Sequence, residues 1–458
     1  MIFKQFHLNC LAHYSYIIGS NGEACVIDPS RDIELYEEFL KEHNLKLKFI
    51  IETHLHADFV SGHNELKIKT GANIVYGRQA VVDFPHLGLS DNDNLKVGSL
   101  KLTILETPGH TPESISILVT DTSNPSEPAK LFTGDTLFIG DVGRPDLVVS
   151  KGFTIEQMAG LLYDSISAKI LTLDDNTQLY PAHGMGSLCG KNISKENTAT
   201  LESQKQSNNL LKLDKADFIN AVSTNLPPVP AYFLQAVNIN AKGAKQLHKI
   251  NKPKQVEIDD LIDFDKMAKT VLDVRNNSDF ARGHIEGAIN ISLNGQFASW
   301  AGSILNLSKP LVLIIPGLDK LIESVIRLAR IGFDQVIEYC IIDESNSNNP
   351  NLIKIAQVSV EELNHLLINN PINILDVRTV HEVNQIKIDN IINIPLMELP
   401  IRVTEIAQFD KLYVICGSGY RSSIACSFIA NQCDLELINV IGGMQAYKEF
   451  KNKHLANV

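Results

Sequence analysis

The sequence predicts an α/β protein of three successive domains, and three observations carry that expectation. Short apolar runs alternate with helical stretches over the first 240 or so residues; a proline cluster follows near Leu226; and the pentapeptide at Val271 recurs at Ile374. A chain of 458 residues is also too long for one core at the usual domain size.

The apolar runs Ser15–Ile18, Ala24–Ile27, Leu47–Ile51, Leu100–Leu105, Ile115–Val119 and Lys130–Thr133 have strand length, and Ile33–Glu42 reads as helix. That mixture predicts a sheet core covered by helices. Leu226-Pro227-Pro228-Val229-Pro230 rules out continuous helix, which places the first domain at residues 1–244. Beyond it, Val271-Leu272-Asp273-Val274-Arg275 returns as Ile374-Leu375-Asp376-Val377-Arg378. Each copy continues with an Asn-Ile strand, an apolar strand and a helix: Asn290, Leu311–Ile315 and Leu321–Ile331, then Asn393, Leu412–Ile415 and Ser422–Asn431. Two homologous α/β domains follow, at 254–345 and 356–456, joined through the polar stretch Asp343–Asn351.

Composition excludes several classes. With 44% hydrophobic and 21% charged residues the chain is neither disordered nor fibrous. A net charge of -12 argues against nucleic acid or an anionic membrane as partner. Seven cysteines without dense spacing do not form a secreted disulfide framework. The alternating start Met1–His7 has no signal-like apolar run after it, and no stretch is long enough to span a membrane, so a soluble cytoplasmic protein is expected.

After the apolar strand Phe49-Ile50-Ile51 comes Thr53-His54-Leu55-His56-Ala57-Asp58-Phe59. Side chains two apart on an extended segment point the same way, so His54, His56 and Asp58 can converge on one ion. Thr107-Pro108-Gly109-His110, Thr133-Gly134-Asp135 and Tyr180-Pro181-Ala182-His183 each place a further His or Asp in a loop after an apolar strand. These ordered ligands over four loops resemble the metallo-β-lactamase fold, an αββα sandwich. Binuclear members of that fold, glyoxalase II hydrolases included, carry a metal-binding His directly after the Asp. Here that position is Phe59, which donates nothing, so a mononuclear centre is expected.

The persulfide dioxygenases are mononuclear members similar to this sequence. The resemblance implies one non-haem Fe(II) on His54, His110 and Asp135, a facial triad with positions left open for a persulfide and O₂. His56, Asp58 and His183 then orient those ligands, touch substrate, or are inherited without a catalytic role. The segment Gly143-Arg144-Pro145-Asp146 resembles their Gly-Arg-x-Asp stretch, which makes Arg144 either a cation for an anionic sulfur species or the partner of Asp141 or Asp146. Cys189, on the Gly-rich loop after His183, either handles sulfane sulfur or is a packed side chain.

In the second copy, Cys416-Gly417-Ser418-Gly419-Tyr420-Arg421 lies between an apolar strand and a helix. Successive backbone N–H groups and a helix N-terminus facing a sulfur favour its thiolate or persulfide, and Arg421 adds positive charge. The loop and the Asp-Val-Arg strands resemble the rhodanese family, with Cys416 as sulfur carrier. The first copy has Pro316 at the matching position and no matching Arg, so it is expected to be an inactive scaffold. It keeps Gly283-His284-Ile285, where the second copy has Gln385-Ile386-Lys387, and that leaves open how the second copy builds this edge. Cys10, Cys25, Cys340, Cys426 and Cys433 are assigned no chemistry.

Together these features resemble the CstB-type fusions of a persulfide dioxygenase with tandem rhodanese domains. The resemblance implies oxidation of low-molecular-weight thiol persulfides with O₂, transfer of sulfane sulfur through Cys416 to sulfite to give thiosulfate, and a homo-oligomer. Two other readings stay open: a glyoxalase II-like zinc thioesterase with an attached rhodanese, and a sulfur relay without oxidation.

Overall fold

The computed structural model describes residues 1–147, 152–249, 252–346, 349–369 and 371–455, and the chain divides into two compact units. Residues 347–348 of the expected linker, and residue 456 at the end of the third expected domain, lie outside the described residues.

The first unit is Met1–Ile250 with Ala329–Gly332. Its strands are β1 (Ile2–Leu8), β2 (His13–Ser20), β3 (Glu23–Ile27), β4 (Lys46–Ile51), β5 (Asn73–Gly77), β6 (Leu87–Leu89), β7 (Asn94–Val97), β8 (Leu100–Glu106), β9 (Ile115–Asp121), β10 (Lys130–Gly134), β11 (Gln178–Pro181) and β12 (Ala199–Thr200). Its helices are α1 (Glu34–Glu42), α2 (His63–Thr70), α3 (Ile155–Ser165), α4 (Leu201–Ser207), α5 (Lys215–Ser223) and α6 (Tyr232–Lys242). The six expected apolar runs fall within β2, β3, β4, β8, β9 and β10, and α5 ends before the prolines.

The strands form two six-stranded sheets, β1-β2-β3-β4-β5-β6 and β12-β11-β10-β9-β8-β7. Alternation along each strand makes the layers. On β2, Tyr16 and Ile18 enter a core shared with Leu102, Ile104, Ile117 and Phe132 of the other sheet, while Ile17 between them packs toward Tyr36, Leu40 and Leu66 of α1 and α2. On the far side Leu131 and Leu179 meet Leu162 of α3 and Phe218 of α5. The result is the αββα sandwich that the motifs imply. Strands β3, β4 and β5 run parallel, as do β10 and β11, so within each sheet the loops leaving these strands gather at one edge.

The second unit, Asn251–Leu328 with Phe333–Val458, holds both repeats. The first repeat contains β13 (Lys254–Gln255), β14 (Thr270–Asp273), α7 (Asn277–Arg282), β15 (Ile289–Asn290), α8 (Phe297–Ile304), β16 (Leu311–Ile315), α9 (Asp319–Ala329) and β17 (Val336–Ile341). The second contains β18 (Ala356–Val358), α10 (Val360–Asn369), β19 (Ile374–Asp376), α11 (Val380–Gln385), β20 (Ile392–Asn393), α12 (Leu399–Arg402), β21 (Lys411–Ile415), α13 (Tyr420–Ile429), β22 (Glu436–Val440) and α14 (Gly443–Leu455). The sheet orders, β13-β17-β16-β14-β15 and β18-β22-β21-β19-β20, are the same order written twice.

The repeat extends to single hydrogen bonds. Arg275 pairs with Asp273 and donates to the Gly283 carbonyl at 2.8 Å; Arg378 pairs with Asp376 and donates to the Ile386 carbonyl at 2.8 Å. The backbone of Ile386 thus does in the second copy what Gly283 does in the first, which is how that edge survives without a Gly-His-Ile segment. Among the described residues no helix is long and apolar enough to cross a membrane.

Candidate metal centre and thiol loop

The loops after β4, β8, β10 and β11 carry His54, His110, Asp135 and His183 into the first unit's interior, where none is more than 2% exposed. Gly134, before Asp135, has φ +53°, and a Cβ there would come within 2.5 Å of the Thr53 hydroxyl, so only glycine lets the Asp135 loop lie against the His54 loop.

One ligand-type nitrogen or oxygen from each of His54, His110 and Asp135 lies within 4.8 Å of the others. The Nε2 atoms of His110 and His54 stand 3.4 Å and 4.0 Å from Asp135 Oδ2. Both imidazoles are anchored by the opposite nitrogen. His54 Nδ1 meets the Thr53 hydroxyl at 3.0 Å, which itself donates to Asp28 at 2.9 Å, and His110 Nδ1 meets the Arg144 carbonyl at 2.9 Å. Protons on those Nδ1 atoms leave the Nε2 lone pairs facing inward, the usual tautomer of a metal-binding histidine. His54 Nε2 and Asp135 Oδ2 are buried without a hydrogen-bond partner among the described residues. Such atoms are costly unless something else satisfies them, so this donor set fits a cation.

The charges agree. Burial, reinforced by the neighbouring His56, holds His54 well below the usual histidine range, so it is neutral. Asp135 has the reverse balance: burial pushes its carboxyl up, but His183 and His110 hold it well below the ordinary value.

The remaining candidates separate into two groups. His56 turns its Nε2 to Asp28 at 3.0 Å and Glu52 at 3.2 Å. Burial would lower its pKa, yet those carboxylates raise it well above 6.5, and its Nε2 is engaged by them. Phe59 is wholly buried, with ring centroids 4.0 Å from His13 and 4.4 Å from His56. Asp58 and His183 meet at 2.7 Å, and His183 also meets Asp135 at 2.8 Å. Against the pull of burial, these carboxylates push His183 up to about 10. Cys189 lies with them: its sulfur, an Asp58 oxygen and a His183 nitrogen are within 4.8 Å of one another. Burial and the two nearby carboxylates push its thiol well up, so without a cation it is not a thiolate nucleophile.

For Arg144 the structure shows the second of its two readings, the ion pair with Asp146. Its guanidinium, 3% exposed in the side chain, forms a bidentate pair with Asp146 at 2.6 and 2.7 Å and donates to the Leu188 and Pro227 carbonyls. With these partners it braces loops, and the segment reaches the site through the Arg144 carbonyl on His110.

In the second unit, Cys416 directly follows β21 and is 1% exposed. Its sulfur accepts the Gly419 N–H at 3.1 Å and lies 3.5 Å from the Ser422 hydroxyl. Arg421 does not face the sulfur as a free cation; it makes a bidentate pair with Glu382 at 2.6 and 2.8 Å. The first repeat bears on the Cys416 loop and helix α13 of the second. Asn277 donates to the Gly419 carbonyl at 3.3 Å, Tyr420 to the Ser292 carbonyl at 3.1 Å, and Ser423 to Asn290 at 2.9 Å.

Sequence reasoning missed Asp28, Glu52, Asn240 and Glu382. Asn240 of α6 donates to the His56 and Phe59 carbonyls and accepts from the Ser61 N–H, each at 2.8 Å, which clamps the motif loop. A signal existed for Asp28, a carboxylate directly after the apolar strand Ala24–Ile27, as in the motif loops.

Comparison with known proteins adds three findings. The Metallo-beta-lactamase superfamily model matches residues 8–183, and the Rhodanese-like domain model matches residues 254–340 and 359–450. The chain is 34% identical to a hydroxyacylglutathione hydrolase of Dictyostelium discoideum, over 43% of this chain and 70% of that protein. It is 30% identical to the mitochondrial persulfide dioxygenase ETHE1 of Mus musculus, over 50% of this chain and 83% of that one. A solved metallo-beta-lactamase from Staphylococcus aureus superposes with a TM-score of 0.67 at 34% identity, covering 74% of this chain and 99% of that one, which is more than the first unit alone.

Proposed function

The chain belongs to the metallo-beta-lactamase superfamily, with two rhodanese-like domains joined to it, and from that premise we propose that it is a persulfide dioxygenase-sulfurtransferase of the CstB type. The observation that carries the reading is the donor set: two imidazoles, His54 and His110, and one carboxylate, Asp135, with His56 engaged by Asp28 and Glu52. His54, His110 and Asp135 would hold a mononuclear Fe(II), whose chemistry when bound is the activation of O₂ toward the terminal sulfur of a thiol persulfide.

The net oxidation balances as persulfide, O₂ and water giving thiol and sulfite. The residues contribute fixed geometry. Thr53 and the Arg144 carbonyl set both histidine rings, and His183 ties Asp135 Oδ1 so that Oδ2 faces inward. In the second unit Cys416 receives a sulfane sulfur from a second persulfide, and sulfite attacks that sulfur, so the S–S bond to Cys416 breaks and thiosulfate leaves. The Gly419 N–H stabilises the thiolate so formed.

The hydroxyacylglutathione hydrolase relative favours a second reading, a zinc thioesterase. Metal analysis of anaerobically purified protein, with O₂ uptake and product identification after adding a low-molecular-weight thiol persulfide, separates the two. Iron with uptake, sulfite and thiosulfate is expected. Zinc with thioester hydrolysis and no uptake sinks the dioxygenase.

A further inference from the structure

We propose that Tyr232 is a substrate-binding residue of the metal centre, its phenolic hydroxyl donating a hydrogen bond to the sulfur anion held there: the persulfide sulfur before oxidation and the sulfite after it. The proposal rests on the reading above for the identity of that substrate. Tyr232 lies outside the residues matched by either family model, 8–183 on one side and 254 onward on the other.

Helix α6 carries the hydroxyl to the site. Among its buried residues, Tyr232, Ala236 and Asn240 are spaced by four and so share one face. Asn240, at the far end of that face, donates to the His56 and Phe59 carbonyls and accepts the Ser61 N–H, each at 2.8 Å. The face therefore lies against the loop that bears His54. Tyr232, two turns earlier, is wholly buried.

The Tyr232 hydroxyl is buried with no hydrogen-bond partner among the described residues. Such a group has given up its water and gained nothing in exchange, a cost that phenylalanine would avoid while filling the same space. A ligand that accepts from the phenol accounts for the oxygen. Burial, followed by the charges of Asp58, Cys189 and Cys10, pushes this phenol well above 10, so it stays protonated and is available as a donor. Asp58 is one side chain away from the metal set, because His183 meets Asp58 at 2.7 Å and Asp135 at 2.8 Å. The phenol thus stands on the Asp58 flank of His54, His110 and Asp135. An anionic acceptor suits it best, since a hydrogen bond to a charged group is about twice as strong as a neutral one.

The test compares the full-length wild type with Tyr232→Phe, which removes one oxygen and keeps the ring. Thermal unfolding of both proteins as purified, without substrate, reads whether the hydroxyl has a structural role. Tyr232→Phe should melt at the same temperature or higher; a lower melting temperature would assign the hydroxyl a partner within the fold and overturn the proposal. Both proteins are then loaded anaerobically with Co²⁺ and titrated with sulfite, followed by the visible absorption of the bound metal. At equal cobalt content, Tyr232→Phe should bind sulfite about tenfold more weakly. Equal affinity, or a wild type that binds no sulfite, overturns the proposal. This titration needs no turnover, so it decides Tyr232 separately from the dioxygenase reading, which fails instead if the iron-loaded wild type takes up no O₂ with a thiol persulfide. Where uptake is present, Tyr232→Phe should lower kcat/KM for the persulfide about tenfold and leave thiosulfate formation from added sulfite and a sulfane donor unchanged; an unaltered kcat/KM overturns the role.

Discussion

Replacing Glu382 acts on Arg421 before it acts on the sulfur. The carboxylate and guanidinium form a bidentate pair, and Glu382 also accepts from the backbone and hydroxyl of Thr379 at 3.0 and 2.9 Å. Partial burial pushes Glu382 up, but Arg421 and Thr379 outweigh it and bring its pKa from 4.5 to about 2. A folded-state pKa below the ordinary value means that the folded protein prefers the carboxylate. The pair therefore stabilises fully above pH 4.5, and this contribution is lost as pH falls toward about 2. Glu382→Gln should be less stable than the wild type at neutral pH, with the difference shrinking across that window and gone below it. Denaturant unfolding of both proteins at a series of pH values checks this, and a difference that ignores pH would assign the loss to packing instead.

Helix α13 shows what an element adds to its residues. It starts directly after Gly419, whose φ of +97° turns its N–H onto the Cys416 sulfur at 3.1 Å. An L side chain in that conformation costs about 1–2 kcal/mol. Gly419→Ala should therefore lower stability by about that much and slow sulfur transfer from a sulfane donor, with O₂ uptake unchanged, since no residue of the metal set changes. Comparing the two activities in one preparation checks it. At this scale the sequence was readable where chemistry is local. Strands β2, β3, β4, β8, β9 and β10 follow from apolar runs, and the repeat follows from Asp-Val-Arg. It was silent where partners meet only through the fold. Asn240 reaches the His56 and Phe59 carbonyls from a helix beyond the prolines, and Glu382 meets Arg421 across 39 residues of chain. Arg144 was left with two readings for the same reason, because a motif gives the residue type and not whether its guanidinium turns to a ligand or to Asp146.

Across the whole molecule, the two proposed chemistries draw on separate residues and separate cores. The metal candidates belong to the sandwich built on Tyr16, Ile18, Leu102 and Phe132, and Cys416 belongs to a parallel sheet with its own core around Ile374, Ile415 and Val440. No residue of the His54, His110 and Asp135 set lies in the second unit, so each activity should survive loss of the other. His110→Ala removes a buried donor and should abolish metal retention and O₂ uptake while thiosulfate still forms from added sulfite and a sulfane donor. Cys416→Ser should do the reverse: O₂ uptake persists, sulfite accumulates and thiosulfate is lost. Under the proposed function, joining the domains in one chain would then matter through concentration, because sulfite made at one site would meet a tethered acceptor rather than a diluted one. Mixing the two variants restores both chemistries in trans but not that advantage. At low protein concentration the mixture should release more free sulfite per O₂ consumed than the wild type, and converge with it as concentration rises. Equal sulfite release at every dilution would mean that the fusion confers no kinetic coupling.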